Sequence, residues 1–254
     1  VELGDEEGTF TSIMKGFVDK SKGTGKTRTL WLTEFGYATY HFSGDNEKGL
    51  FAGFTEEAQA VYLVRRFLLG ASMPEIALAC QYDFLDDYGS KPHHNESNLG
   101  LLRADFSPKP SYFAIQRMNS LMNGFNPSKS VSAKVVDAPL HRSATRRELV
   151  RGWDDVNIKA HNGVAAFPFE NANTKRVQLA VWSKQPFSGE FRNRVASIDI
   201  KGVDPKSVYN TAVAVDLING LSYDVPLTIE RGVLKIKNMP LKQHPMMIQL
   251  IPSP

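Results

Sequence analysis

Leu30-Trp31-Leu32-Thr33-Glu34-Phe35-Gly36-Tyr37 is the stretch whose reading decides the fold. A short apolar run ends in a carboxylate, with a glycine and aromatic residues directly behind it. That order places an acid at the C-terminal mouth of a parallel sheet, where α/β enzymes keep their sites. Taken locally, the pattern fits a solvated glutamate at a strand end equally well. The flanking periodicity supports an α/β arrangement. Upstream, residues 9–20 carry Phe10, Ile13, Met14 and Phe17 on one helical face, and Lys22-Gly23-Thr24-Gly25 ends the helix. Residues 28–33 form the predicted strand. Downstream, Thr55 with Glu56 and Glu57 opens a helix whose Ala60, Val61, Val64, Phe67 and Leu68 recur at helical spacing until Gly70 and Pro74. Residues 76–82 are nearly continuously apolar, which predicts a parallel strand buried on both faces, with Cys80 inside it as a small hydrophobe. Residues 111–122 carry Phe113, Ile115, Met118, Leu121 and Met122 as a third helix. Helix and strand alternate as βα units of a parallel sheet require.

The composition changes near residues 125–133, where Phe125-Asn126-Pro127-Ser128-Lys129-Ser130 ends the helical patterns. This divides the chain into residues 1–128 and 129–254. The second part shows short β-rich segments around Val135 and over residues 164–169, 177–183, 195–200, 208–217, 227–230, 233–236 and 246–251. Asn219-Gly220 and Arg231-Gly232 are hairpin turn signals, so this half predicts an antiparallel β-sandwich.

With 254 residues, 42% apolar and 22% charged, the chain can build a sizeable core. Its 30 basic and 27 acidic residues give a net charge of +3 spread along the sequence, which supplies no footprint for nucleic acid or an anionic membrane. The basic run from Arg142 to Arg151 is interrupted by Glu148 and reads as a solvated loop and edge. A single cysteine excludes an intrachain disulfide and a multi-cysteine zinc site. No run approaches the roughly 18 apolar residues of a membrane span. The acidic start Val1-Glu2-Leu3-Gly4-Asp5-Glu6-Glu7 is unlike a signal peptide, so it is either processed or truncated, or the protein is cytosolic. A secreted or periplasmic location is the expectation ahead of a cytoplasmic one, and Asn95-Glu96-Ser97 is compatible with glycosylation. Adjacent His93 and His94 do not easily share a metal, so their segment reads as a loop over the sheet mouth, and no metal or cofactor is expected. Gly23-Thr24-Gly25-Lys26-Thr27 lacks the first glycine of a phosphate loop and precedes a strand, which argues against nucleotide binding.

Trp31-Leu32-Thr33-Glu34-Phe35-Gly36-Tyr37 resembles the motif around the nucleophile on the seventh barrel strand of clan A glycoside hydrolases. Glu75 to Asp87 is similar to the eighth strand with its polar and aromatic mouth. Leu99-Gly100-Leu101-Leu102, then Asp105-Phe106-Ser107-Pro108-Lys109-Pro110-Ser111-Tyr112, resembles the passage into the last barrel helix. Ala214 to Gly220 and the closing residues 246–251 look like the sandwich that some of these families append. The resemblance implies the last βα units of a TIM (β/α)8 barrel followed by an antiparallel β-sandwich, α/β plus all-β.

It further implies a retaining hydrolase of β-linked glycosides or polysaccharide with Glu34 as nucleophile. Tyr37, Gln81, Tyr82, Asp86 and Tyr88 are the candidate substrate-binding residues, with Asp83 and Asp87 as further hydrogen-bonding groups; Asp86-Asp87 equally reads as a loop cap. Retention needs a second carboxylate about 5 to 5.5 Å away. In clan A this follows an asparagine on the fourth strand, whereas only 33 residues precede Glu34 here. Asn46-Glu47 and Asn95-Glu96 lie after Glu34 in loops and do not take the role. A barrel needs about 250 residues and eight strands, so the expectation is a fragment. Its partner would be the missing N-terminal barrel segment, as a separate chain or lost sequence, and its substrate a carbohydrate. The competing reading is a non-catalytic carbohydrate-binding or structural protein derived from the same fold.

Overall fold

A computed structural model describes residues 9–26, 28–39, 53–87, 96–137, 163–184, 187, 194–203 and 209–252. Tyr88, His93, His94, Asn46-Glu47 and the Arg142–Arg151 run lie outside these residues.

The first part alternates α1 (Thr9–Gly23), β1 (Leu30–Phe35), α2 (Glu56–Ala71), β2 (Ile76–Gln81) and α3 (Pro110–Met122). Thr55 caps α2 as its sequence predicts, with its hydroxyl accepting from the Ala58 amide at 3.1 Å, and two acidic residues occupy the first turn. α3 opens on Pro110 at its first position, where the missing N–H costs nothing. Strands β1 and β2 pair in parallel, Leu30 with Ile76 and Leu32 with Ala79. Among the described residues this is a two-stranded sheet, not a barrel.

β1, β2 and α1 depart from what their sequences predict. β1 runs two residues past the predicted end, so Glu34 lies inside the strand. β2 is covered on one face only: Ala77, Leu78 and Cys80 are exposed, because α2 packs on the other face and no described element covers this one. In α1, Phe10 and Val18 are buried, with Phe10 and Met14 joining Leu69 and Met73 of the α2 end, while Ile13 and Phe17 lie on an exposed stripe.

The remaining strands are β3 (Asn126–Pro127), which precedes the expected boundary at residue 128, β4 (Ser132–Asp137), β5 (Val164–Glu170), β6 (Val177–Ser183), β7 (Arg194–Lys201), β8 (Tyr209–Asp216), β9 (Ser222–Glu230), β10 (Val233–Leu241) and β11 (Met246–Pro252). They are antiparallel, as predicted, but form one continuous sheet in the order β3-β5-β6-β11-β8-β9-β10-β7-β4. The sheet curls because β9 serves two partners: residues 222–226 pair with β8 and 227–230 with β10. Pro226, which donates no ladder hydrogen bond, stands at that change of partner. The β9–β10 turn has both Arg231 (φ 52°) and Gly232 (φ 75°) in the left-handed region, the geometry that matches strand twist in a two-residue hairpin.

Inside the curl, Leu179, Val181, Ile198, Ile200, Ile236 and Ile248 form the main core. A second core lies on the outer face, where Phe169, Ala180, Trp182 and Met247 meet Ala60, Val61, Val64 and Leu68 of α2 and Ala114 and Met118 of α3. β6 is buried along its whole length because its alternate residues serve the two cores.

Polar contacts reinforce this seam. Buried Arg65 donates to the Gln243 carbonyl at 2.7 Å, and Arg117 of α3 donates to the carbonyls of Leu217 and Ile218. The fully buried Asp216 accepts from the amides of Ile218 and Asn219 and from Lys242 Nζ at 2.9 Å, and lies 3.2 Å from His244 Nδ1. Burial would push this carboxyl up, but hydrogen bonds with His244 and Lys242 hold it well below the ordinary carboxylate range.

Candidate functional site

Glu34 owes its placement to an irregularity in the parallel pair. Leu32 is opposite Ala79 and Phe35 opposite Gln81, so β1 carries one extra residue over this interval. Thr33 and Glu34 are therefore exposed in succession, while Phe35 returns to the helix side and packs edge-on against Phe67 of α2 at 5.0 Å. A bulge of this kind re-aims a side chain at a sheet end. Among the described residues the Glu34 carboxylate has no hydrogen-bond or ion-pair partner.

On the same open face stand Trp31 (65% exposed) and its register partner Leu78 (41%). Tyr82 (44%) and Phe84 (58%) are exposed just beyond the end of β2. The Tyr82–Asp83 peptide is cis. The two strand ends touch closely: the Tyr82 amide donates to the Phe35 carbonyl at 2.8 Å, and a Cβ on Gly36 would lie 2.2 Å from the Tyr82 carbonyl oxygen. Only glycine permits that approach.

The other proposed contacts are placed differently. Tyr37 is 3% exposed, its ring lies among Phe54 and Tyr62, and its hydroxyl accepts from Arg66 Nε at 3.4 Å. Arg66 in turn lies over the Phe10 ring, 4.0 Å from its centroid. Tyr37 is thus a packing residue, and burial removes it as a sugar-stacking surface. Gln81 is half-buried and donates to the Leu99 carbonyl at 2.8 Å. Asp86 is buried and accepts from Lys109 Nζ and from the Gly100 amide, each at 2.8 Å. Asp83 accepts from the Phe84 amide, and Asp87 is exposed.

Lys109 was legible only as the residue before a helix-opening proline. Its side chain is 1% exposed and donates to Asp86, to Thr39 Oγ1 at 2.8 Å and to the Asn98 carbonyl at 3.4 Å, which uses all three of its N–H groups. Burial lowers its pKa, and the Asp86 carboxylate opposes that shift. Lys109 therefore joins the segments that follow β1 and β2. Outside this pin, Arg103 makes a two-pronged pair with Glu56 at the start of α2, which raises the guanidinium pKa.

No family model matches the chain, and no curated protein matches it in sequence. In structure it is similar to a family 39 glycoside hydrolase from the gut symbiont Bacteroides cellulosilyticus WH2. The TM-score is 0.51 and the identity 22%, over 89% of this chain and 34% of that one. It is also similar to the catalytic domain of GH30 xylanase C from Talaromyces cellulolyticus, at a TM-score of 0.40 and 12% identity over 89% of this chain and 41% of that one. The chain spans about a third of the length of the first structure. The fold is thus shared with a glycoside hydrolase. Among the described residues no helix is long and apolar enough to cross a membrane.

Proposed function

We propose that the chain is the C-terminal part of a retaining glycoside hydrolase acting on β-linked glycosides or polysaccharide, with Glu34 as nucleophile. The observation that carries this reading is an exposed carboxylate, set on a bulge at the C-terminal end of a parallel strand pair and flanked by exposed aromatic residues. The similarity to a glycoside hydrolase fold over most of the chain supports it. Residues 1–128 then close a (β/α)8 barrel, and residues 129–254 supply the β-domain appended to it. A secreted or periplasmic setting suits a polysaccharide substrate.

In this reaction a Glu34 oxygen forms a bond to the anomeric carbon as the bond to the departing oxygen breaks, and that oxygen takes a proton from a general acid. Water then displaces Glu34 with net retention. Tyr82 is the residue we assign to contact the sugar; Gln81 and Asp86 hold the mouth in shape, and Tyr88 is a further contact candidate outside the described residues. The general acid belongs to the barrel segment that would also cover Trp31 and Leu78.

Incubation with a 2-fluoroglycoside inactivator tests the assignment, with that segment supplied. A covalent label on the peptide holding Glu34, and loss of turnover by several orders of magnitude in Glu34→Gln, are expected. A label on another peptide overturns the nucleophile, and binding without any label favours the non-catalytic alternative. The 254-residue chain alone should not hydrolyse a natural oligosaccharide at an enzymatic rate, since a general acid typically contributes about 10²–10⁴-fold.

A further inference from the structure

Glu34 lacks a described partner for its carboxylate, so its direction depends on the backbone that follows it. That backbone is held by several contacts: the Phe54 amide donates to the Ala38 carbonyl and the Thr39 amide to the Asn98 carbonyl, each at 2.8 Å, and two further contacts lie nearer Glu34. Tyr82 fixes the Phe35 carbonyl, as described above. The second of these nearer contacts is Gln59, on the fourth residue of α2 and fully buried, whose Nε2 donates to the Tyr37 carbonyl at 2.9 Å. The same nitrogen lies 3.3 Å from the Gly100 carbonyl and 3.5 Å from that of Leu99. Its other end is fixed too: Gln59 Oε1 accepts from buried Ser111 Oγ at 2.8 Å, so the amide cannot turn over without losing that bond. The Leu99 carbonyl also takes the Gln81 side chain at 2.8 Å and the Asp83 amide at 3.2 Å. One side-chain amide therefore connects the segment after β1, the segment returning after β2, and the first turn of α3.

We infer that Gln59 is the positioning residue for Glu34: it holds the Tyr37 carbonyl and thereby sets the angle at which the bulge presents the carboxylate beside Tyr82. A buried amide with both ends satisfied is suited to this, because it fixes direction as well as distance. The inference rests on the reading of Glu34 as nucleophile only for its catalytic consequence.

Gln59→Met keeps the length and removes both hydrogen-bonding functions, and Ser111→Ala keeps the amide but releases its other end. In the 254-residue chain, Gln59→Met should speed hydrogen exchange at the Tyr82 and Thr39 amides about tenfold, with the β6 and β11 amides unchanged. The Glu34 backbone and side-chain carboxyl NMR signals should shift or split. Ser111→Ala should act in the same direction and more weakly, and it decides the matter if Gln59→Met does not fold. Unchanged Glu34 signals and unchanged protection, or loosening spread evenly through the chain, would overturn the inference. In the labelling reaction Gln59→Met should slow attachment of the fluoroglycoside to Glu34 at least tenfold without weakening its reversible binding; equal loss of both would reduce Gln59 to a packing role. If the wild-type protein takes no label, the nucleophile reading fails while the exchange and NMR results still decide what Gln59 positions.

Discussion

A methyl group at position 36 would be the smallest change with the largest local effect. Gly36→Ala sets a Cβ against the Tyr82 backbone carbonyl, which cannot turn aside as a flexible side chain could, so the strand ends must part. Overpacking of this kind costs about 1–3 kcal/mol, and we expect a loss of that size in urea unfolding together with faster exchange at the Tyr82 amide. Lys109→Met leaves Asp86 charged and buried without its cation and should cost about 3–5 kcal/mol. The double change Lys109→Met with Asp86→Leu should recover only part of this, because the Gly100 amide still loses its acceptor. A full recovery would show that the pin contributes nothing beyond its own charge balance. At this scale the sequence was partly legible. Glu34 and Tyr82 stand out as strand-end residues. Gln59, Arg65 and Arg66 do not, because the buried positions of α2 run right round the helix, so polar residues off its apolar stripe are interior too.

Elements were more legible than their exposure. Turn chemistry and periodicity locate the helices and most strands within a few residues, since Thr55, Pro110 and Arg231-Gly232 act through local backbone geometry. What covers each face is a tertiary matter. β2 carries the apolar run of a doubly buried strand yet has one face that no described element covers, and on α1 Ile13 and Phe17 are exposed with no described element upon them. The bulge at Glu34 has no sequence signal either, because it arises from the pairing of two distant strands. Trp31→Thr and Leu78→Thr should therefore change the stability of the 254-residue chain by no more than about 0.5 kcal/mol. If the proposed barrel segment covers this face, the same changes should weaken its association with the chain, measurable by sedimentation velocity of the mixture.

For the molecule as a whole, acid sensitivity should follow Asp216. Its carboxyl is depressed in the folded state, so its contribution is present above the unfolded value of about 3.9 and is lost as pH falls toward the lower folded value. Asp216→Asn should flatten the decline in stability below about pH 4, and Asp216→Ala should cost about 1–3 kcal/mol at neutral pH, because the buried Ile218 amide loses its acceptor. Thermal melts across pH 2.5–7 would check both.

The strand buried on both faces carries a further consequence. Val181 and Trp182 are neighbours in β6, yet one belongs to the core inside the curl and the other to the core shared with α2 and α3. Neither core can melt while the other keeps β6 in place, so the two parts should unfold in a single calorimetric transition with no intermediate. Residues 129–254 expressed alone would bare Phe169, Trp182 and Met247 to water, and should precipitate or remain molten where the longer chain is soluble. Composition alters near residue 128, while cooperativity should run straight across it.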